Sequence, residues 1–154
     1  MELRPYEAGD AAVVAGWAGT PEENLRWCSR PEVTAADVAG WAARPDVAAY
    51  GLVEDGELVA YGELWVDDDE AEVELARLVV APGRRGRGIG RGLAAALVER
   101  ARRHHPAVFL RVHPDNAAAL RSYAAAGFVP VEEAEAAAWN EGQPVPYAWR
   151  RYAG

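Results

Sequence analysis

Residues 82–92 read Pro82-Gly83-Arg84-Arg85-Gly86-Arg87-Gly88-Ile89-Gly90-Arg91-Gly92, and this interleaving of glycine with arginine constrains the chain more than any other stretch. So much glycine disfavours a strand or helix interior before Gly88. The apolar and charged residues of Glu72–Val80 before it make a strand. After it, Ile89, Leu93, Ala96, Leu97 and Ala101 fall on one face of a helix expected from about Gly88 to Arg103. A glycine loop between a strand and a helix gathers unpaired backbone N–H groups at the positive end of the helix dipole, which favours an anion. The missing Cβ atoms let the main chain approach oxygen atoms closely, and arginine adds bidentate, charge-assisted hydrogen bonds. The segment suits a pyrophosphate.

The rest of the pattern places this loop in an α/β frame. Leu3–Tyr6 reads as a short edge strand, and Asp10 is a candidate cap for a helix carrying Val13, Val14 and Trp17. Pro21–Arg44 reads as helix in pieces, with Thr34 as an N-cap and Val38 and Trp41 on a buried stripe. Asp55-Gly56 is a hairpin turn between strands at 50–53 and 58–66. Val108–Val112 is a buried strand, Asn116–Ala126 a helix ending at Gly127, and Phe128–Val131 and Tyr147–Tyr152 are closing strands around the turn at Asn140-Glu141-Gly142. The expected fold is a three-layer α/β sandwich over residues 1–154, one domain, with N-terminal antiparallel strands continuing into a parallel βαβ unit.

Charge is uneven along the chain. Residues 1–80 hold 5 Arg and 18 Asp or Glu, and residues 81–154 hold 11 Arg and 6 Asp or Glu. The net charge of −8 argues against a general nucleic-acid binder, and no aromatic residue stands among the arginines of 82–92. The acidic half suits a cationic ligand and the basic half an anionic one. No apolar run approaches the roughly 20 residues of a membrane span, and the N-terminus lacks the basic start and apolar stretch of a signal peptide, so a cytoplasmic protein is expected. Cys28 is the sole cysteine and no Cys/His group has zinc spacing, so neither a disulfide nor a metal site is expected.

The common nucleotide motifs fail on inspection. Gly83 and Gly88 have Walker A spacing, but Ile89 stands where the lysine belongs, and the dinucleotide fingerprint finds Arg91 or Leu93 where it needs glycine. What matches is Arg85-Gly86-Arg87-Gly88-Ile89-Gly90 after Leu78-Val79-Val80-Ala81-Pro82, together with Asn116…Tyr123…Gly127-Phe128. These two linked segments resemble the Arg/Gln-x-x-Gly-x-Gly and Asn…Tyr…Gly-Phe elements of the GCN5-related N-acetyltransferase (GNAT) superfamily, over about residues 48–131.

The resemblance implies an N-acetyltransferase that passes an acetyl group from acetyl-CoA to a primary amine of a small molecule or a peptide or protein N-terminus. It implies that the main chain of Leu78, Val79 and Val80 holds the pantetheine arm, that Arg85, Gly86, Arg87, Gly88, Ile89, Gly90 and Arg91 cradle the pyrophosphate, and that Asn116 closes on the pantetheine from the far side. Tyr123 matches the tyrosine that resembles a general acid at the CoA sulfur, and Glu74 lies where many relatives keep a base. Each has a plainer reading, Glu74 as a solvated strand face and Tyr123 as packing. Relatives acting on ribosomal-protein N-termini carry a glutamate where this chain has Arg111, which weakens that match. His104, His105 and His113 read as helix-end and loop residues, and Trp17, Trp27 and Trp41 as core. Homodimers are common among such relatives. The competing reading is a catalytically inactive module that senses acyl-CoA.

Overall fold

The computed structural model describes all 154 residues. In chain order they form β1 (Glu2–Pro5), α1 (Asp10–Ala15), α2 (Pro21–Cys28), α3 (Ala35–Ala42), β2 (Val47–Glu54), β3 (Glu57–Asp67), β4 (Glu72–Val80), α4 (Ile89–Ala101), β5 (Ala107–Val112), α5 (Ala117–Ala125), β6 (Phe128–Pro130), α6 (Glu133–Trp139) and β7 (Ala148–Tyr152). The strands make one sheet in the order β1-β2-β3-β4-β5-β7-β6. β1 to β4 are antiparallel neighbours, β4 and β5 are parallel through the crossover helix α4, and β7 returns antiparallel between β5 and β6. This is the expected three-layer α/β sandwich with a mixed central sheet.

Strand alternation divides the core between the two faces. Val73 and Leu75 of β4 and Leu110 of β5 point to the face covered by α4, where Leu93 and Leu97 are fully buried among them and Tyr123 and Phe128 extend the cluster. On the other face, Val14, Val38 and Trp41 of α1 and α3 pack on Tyr61 and Val79. A third cluster on that face joins Phe109 and Trp149 to Trp139 of α6.

Side-chain caps open three of the six α-helices. Thr34 and Asp37 form a reciprocal capping box, and Thr20 accepts from the Glu23 amide while Pro21 opens α2. One expectation needs correction. Asp10 does not cap α1: Gly9 holds that position, and the buried Asp10 carboxylate takes two hydrogen bonds from Arg4, at 2.7 and 3.0 Å, and one from the Glu7 amide. Residues 133–139, which the sequence pattern leaves unassigned, form a helix whose run of small alanines carries no apolar stripe and which Ala136 and Trp139 anchor.

Candidate functional site

The site begins with a fault in the sheet. β4 and β5 pair from Glu72 opposite Ala107 to Leu75 opposite Leu110 and no further. Along the other edge of β4 the register jumps: Glu63 faces Ala76 and Tyr61 faces Val79, so Arg77 and Leu78 together oppose Gly62. Such a bulge bends the strand, and it holds Arg77 at a left-handed φ of 50°. Beyond it the main chain of Leu78, Val79 and Val80 has no strand partner toward β5, which opens a wedge between the two strands. Those three residues line the cleft that fills the wedge, of about 430 Å³.

The glycine-arginine loop closes the same cleft. A single 3₁₀ turn at Pro82–Arg84 leads into residues 85–88, whose amides donate to no backbone carbonyl. Gly86 and Gly88 sit at φ 77° and 78°, a conformation that turns successive N–H groups to one side. Gly88 caps α4 without a side-chain partner, and helical bonding begins with the Gly92 amide on Gly88 O. The free amides of the first turn and the helix dipole therefore face the cleft, lined by Arg85, Gly86, Gly88, Ile89 and Gly90.

The arginines of the loop divide their roles. Arg84 binds Glu54 and Glu57 on the β2–β3 hairpin and so clamps the loop to the sheet. Arg85 donates to Val80 O and lies 3.7 Å from Glu23. Arg87 and Arg91 are exposed and do not line the cleft. Across from the loop, Arg121 and Ser122 of α5 complete the lining, and the sequence pattern gave no reason to single them out.

A second cleft, of about 160 Å³, lies on the β5 side of the bulge. Both clefts are bounded by Arg26, Trp27, Leu78, Asn116, Ala119 and Tyr123, so they meet there. Asn116 caps α5 through its side-chain oxygen, 3.2 Å from the Ala119 amide, which leaves its NH₂ group toward the junction. Tyr123 packs edge-on to Phe128, and its hydroxyl has no protein partner. Burial pushes its pKa above the ordinary tyrosine value, so the hydroxyl holds its proton and can donate it at the junction.

Glu74 stands in the wall of the smaller cleft, and Arg111 holds both its oxygens: Nε lies 2.8 Å from Oε2 and Nη2 3.0 Å from Oε1. The plainer reading of Glu74 as a solvated strand face fails, since it is only 7% exposed. Arg111 lies over Trp149, 4.7 Å from the ring centre, with Tyr147 and Trp65 beside it and Gln143 in reach of Nη1. Burial works against its charge, but the hydrogen bonds and charge of Glu74 outweigh that and raise its pKa. Above the bulge, Glu63 is fully buried and accepts from Tyr61 Oη, Trp65 Nε1 and Arg77 Nη1. The hydroxyls of Ser29 and Tyr147, 3.0 Å apart, join the end of α2 to the approach of β7 across the cleft.

Sequence reasoning missed Glu63, Arg77, Gln143 and Tyr147, because only the sheet register and the return of β7 bring them together. Trp41 is core as expected, and Trp17 and Trp27 pack against the same cluster while also lining clefts, Trp17 the larger and Trp27 both. His105 bonds Asp68 and His113 accepts from the Asp115 amide, both loop roles, although His113 also borders the smaller cleft.

A sequence model described as the acetyltransferase (GNAT) family matches residues 16–128, which is most of the chain. The chain belongs to the GNAT acetyltransferase family. Among solved structures, this GNAT acetyltransferase is similar to AAC(6')-Ib in complex with ribostamycin and coenzyme A, with a TM-score of 0.77, 21% identity, and coverage of 97% of this chain and 91% of that one. It is similar to spermidine N-acetyltransferase from Vibrio cholerae in complex with CoA and spermine, at 0.73 and 17% identity, covering 97% and 92%. It also resembles the ribosomal-protein-S18-alanine N-acetyltransferase from Escherichia coli, at 0.65 and 22% identity, covering 84% and 78%. At these identities the likeness establishes the fold.

Proposed function

We propose that the chain transfers an acetyl group from acetyl-CoA to the primary amine of a small molecule or a peptide N-terminus. One observation carries the reading: a long cleft ending in free amides and a small cleft lined by charged residues meet at a junction that includes Leu78, Asn116 and Tyr123. The cleft residues fit acetyl-CoA. The main chain of Leu78, Val79 and Val80, which has no strand partner toward β5, suits the amides of the pantetheine arm, the amides of residues 85–91 suit a pyrophosphate, and Asn116 approaches from the opposite wall. The structural relatives that carry CoA or acetyl-CoA support this choice of donor.

Acetyl-CoA supplies an activated thioester; the chain's residues manage protons and position. Two hydrogen bonds from Arg111 occupy one lone pair on each Glu74 oxygen and leave a second on each, so Glu74 takes a proton from the acceptor ammonium directly or through one water. As the nitrogen–carbon bond forms and the carbon–sulfur bond breaks, Tyr123 gives its proton to sulfur, the acylated nitrogen loses its second proton to solvent, and solvent reprotonates Tyr123, while the proton on Glu74 is the one released. The sum is an acetamide, CoA thiol and one released proton.

Engagement of both Glu74 oxygens also favours a second reading, a non-catalytic acyl-CoA sensor. Thermal-shift titration with acetyl-CoA, CoA and ATP tests the cleft, since a ligand bound only by the native state raises the melting temperature with concentration. Stabilisation by both CoA species and not by ATP supports the donor, and no shift overturns it. Release of thiol on adding amines then separates the enzyme from the sensor.

A further inference from the structure

The charge facing the junction differs in sign from that of the acidic half of the chain. Glu74 is the one carboxylate among the residues lining the smaller cleft, against the three arginines Arg26, Arg77 and Arg111. Two of these cations are balanced, Arg77 by Glu63 and Arg111 by Glu74. Arg26, on the last turn of α2, is exposed and has no ion-pair partner. It also borders the CoA-side cleft, so Arg26 lies at the junction of the two clefts.

We infer, building on the acetyltransferase reading, that the acceptor is a small amine bearing a carboxylate, an α-amino acid or a close analogue, and that Arg26 is the residue that selects for the carboxylate. The space favours this class, because about 160 Å³ suits a ligand of amino-acid size and lies well below the several hundred Å³ usual for larger ligands. The charges match it as well. A zwitterion places its ammonium on Glu74 and its carboxylate toward Arg26 and the outer edge of Arg111, so the surplus cation is neutralised and no new charge is buried unpaired. Trp27, Trp65 and Tyr147 leave apolar walls for a side chain.

A polycation fits less well. The carboxylates that would attract one, Asp46, Asp67, Asp68, Asp69 and Glu72, line a separate hollow that meets the smaller cleft at Trp65 and Glu74. That hollow shares no lining residue with the CoA-side cleft, so cations held there leave the charge of Arg26 unanswered.

The test measures thiol release from acetyl-CoA with the twenty standard L-amino acids, their carboxamides, spermidine and kanamycin. A carboxamide has the less basic amine, hence more of the reactive neutral form, so the comparison is biased against the inference. The best amino acid should nevertheless exceed its carboxamide in kcat/KM by about tenfold or more, the size of one charge-assisted contact. Arg26→Gln should collapse that ratio toward one, through KM for the acid with kcat changed by less than about threefold, and Arg26→Lys should restore part of it. General structural damage would lower both acceptors alike. Equal rates for acid and carboxamide, a ratio that survives Arg26→Gln, or turnover of spermidine or kanamycin alone overturns the inference. Stabilisation by acetyl-CoA with no amino acid accepted also overturns it and leaves the donor cleft standing, whereas no stabilisation by acetyl-CoA removes the acetyltransferase reading itself.

Discussion

Arg77 turns back across the β4 bulge and sets Nη1 2.8 Å from Oε1 of Glu63, a carboxylate with no exposed surface. Its guanidinium is stacked between Trp41, at 4.2 Å, and Trp65, at 5.0 Å. The pair ties the bulge that opens the CoA-side cleft to the buried middle of β3. Arg77→Met should therefore destabilise the fold by about 3 kcal/mol, because it strands a buried carboxylate. Arg77→Gly, which relieves roughly 1 kcal/mol of left-handed backbone strain, should still be a net loss. Both should raise KM for acetyl-CoA. An unchanged denaturation midpoint for Arg77→Met would show that the pair holds nothing together.

The Tyr123 hydroxyl makes no hydrogen bond within the protein, so its removal carries no packing cost. Tyr123→Phe should unfold within about 0.5 kcal/mol of the natural protein while kcat drops on the order of a hundredfold, the usual loss of a general acid. KM for acetyl-CoA should hardly move. Equal kcat for the two proteins would return Tyr123 to a packing role.

Stability and cofactor affinity should separate at Gly90. A Cβ there would meet Ser122 Oγ at 3.6 Å and Val80 at 3.8 Å, ordinary contacts, and Gly90 lies in the first turn of α4. Gly90→Ala should raise stability by about 0.5 kcal/mol through lower unfolded-chain entropy. The added methyl group stands where the main chain approaches the anion, so acetyl-CoA should bind several-fold more weakly. Thermal melts with and without acetyl-CoA read both effects, and a variant that gains stability and keeps its affinity would move the pyrophosphate off this turn.

Asp10 provides a pH signature. Burial raises its pKa, but the Arg4 hydrogen bonds, the Glu7 amide and the Arg4 charge outweigh it, and the folded value lies below the ordinary one. A depressed carboxylate contributes stability that is complete above its unfolded value, near 3.9, and is lost as pH falls through the folded value. Asp10→Asn should cost about 2 kcal/mol at pH 7. Urea titrations across pH should show this gap closing only below about pH 4; a gap constant down to pH 2 would mean that the charge is not what Arg4 binds.

Much of this protein was legible in the sequence for a local reason. The interleaved glycines of 82–92, the alternation of β4, the capping box at Thr34 and the Asp55-Gly56 turn act within a few residues, and they place the anion loop, the strands and the order of elements. The linked segments at 85–90 and 116–128 located the CoA-side wall because the helices they open, α4 and α5, follow the neighbouring strands β4 and β5 and pack on each other. Asp10 misled because a residue suited to cap a helix found a stronger partner in Arg4, and α6 stayed hidden because alanines show no face.

The sequence by itself thus determined the sandwich, the family and the glycine loop, all of which follow from short-range pattern. The tertiary structure alone decided the acceptor side. Glu74 meets Arg111 only through parallel pairing of β4 with β5, Arg77 finds Glu63 only because the bulge shifts their register, and Ser29 meets Tyr147 across 118 positions of chain. Contacts at that separation depend on how the strands pair in space, and no local pattern of residues encodes such a pairing.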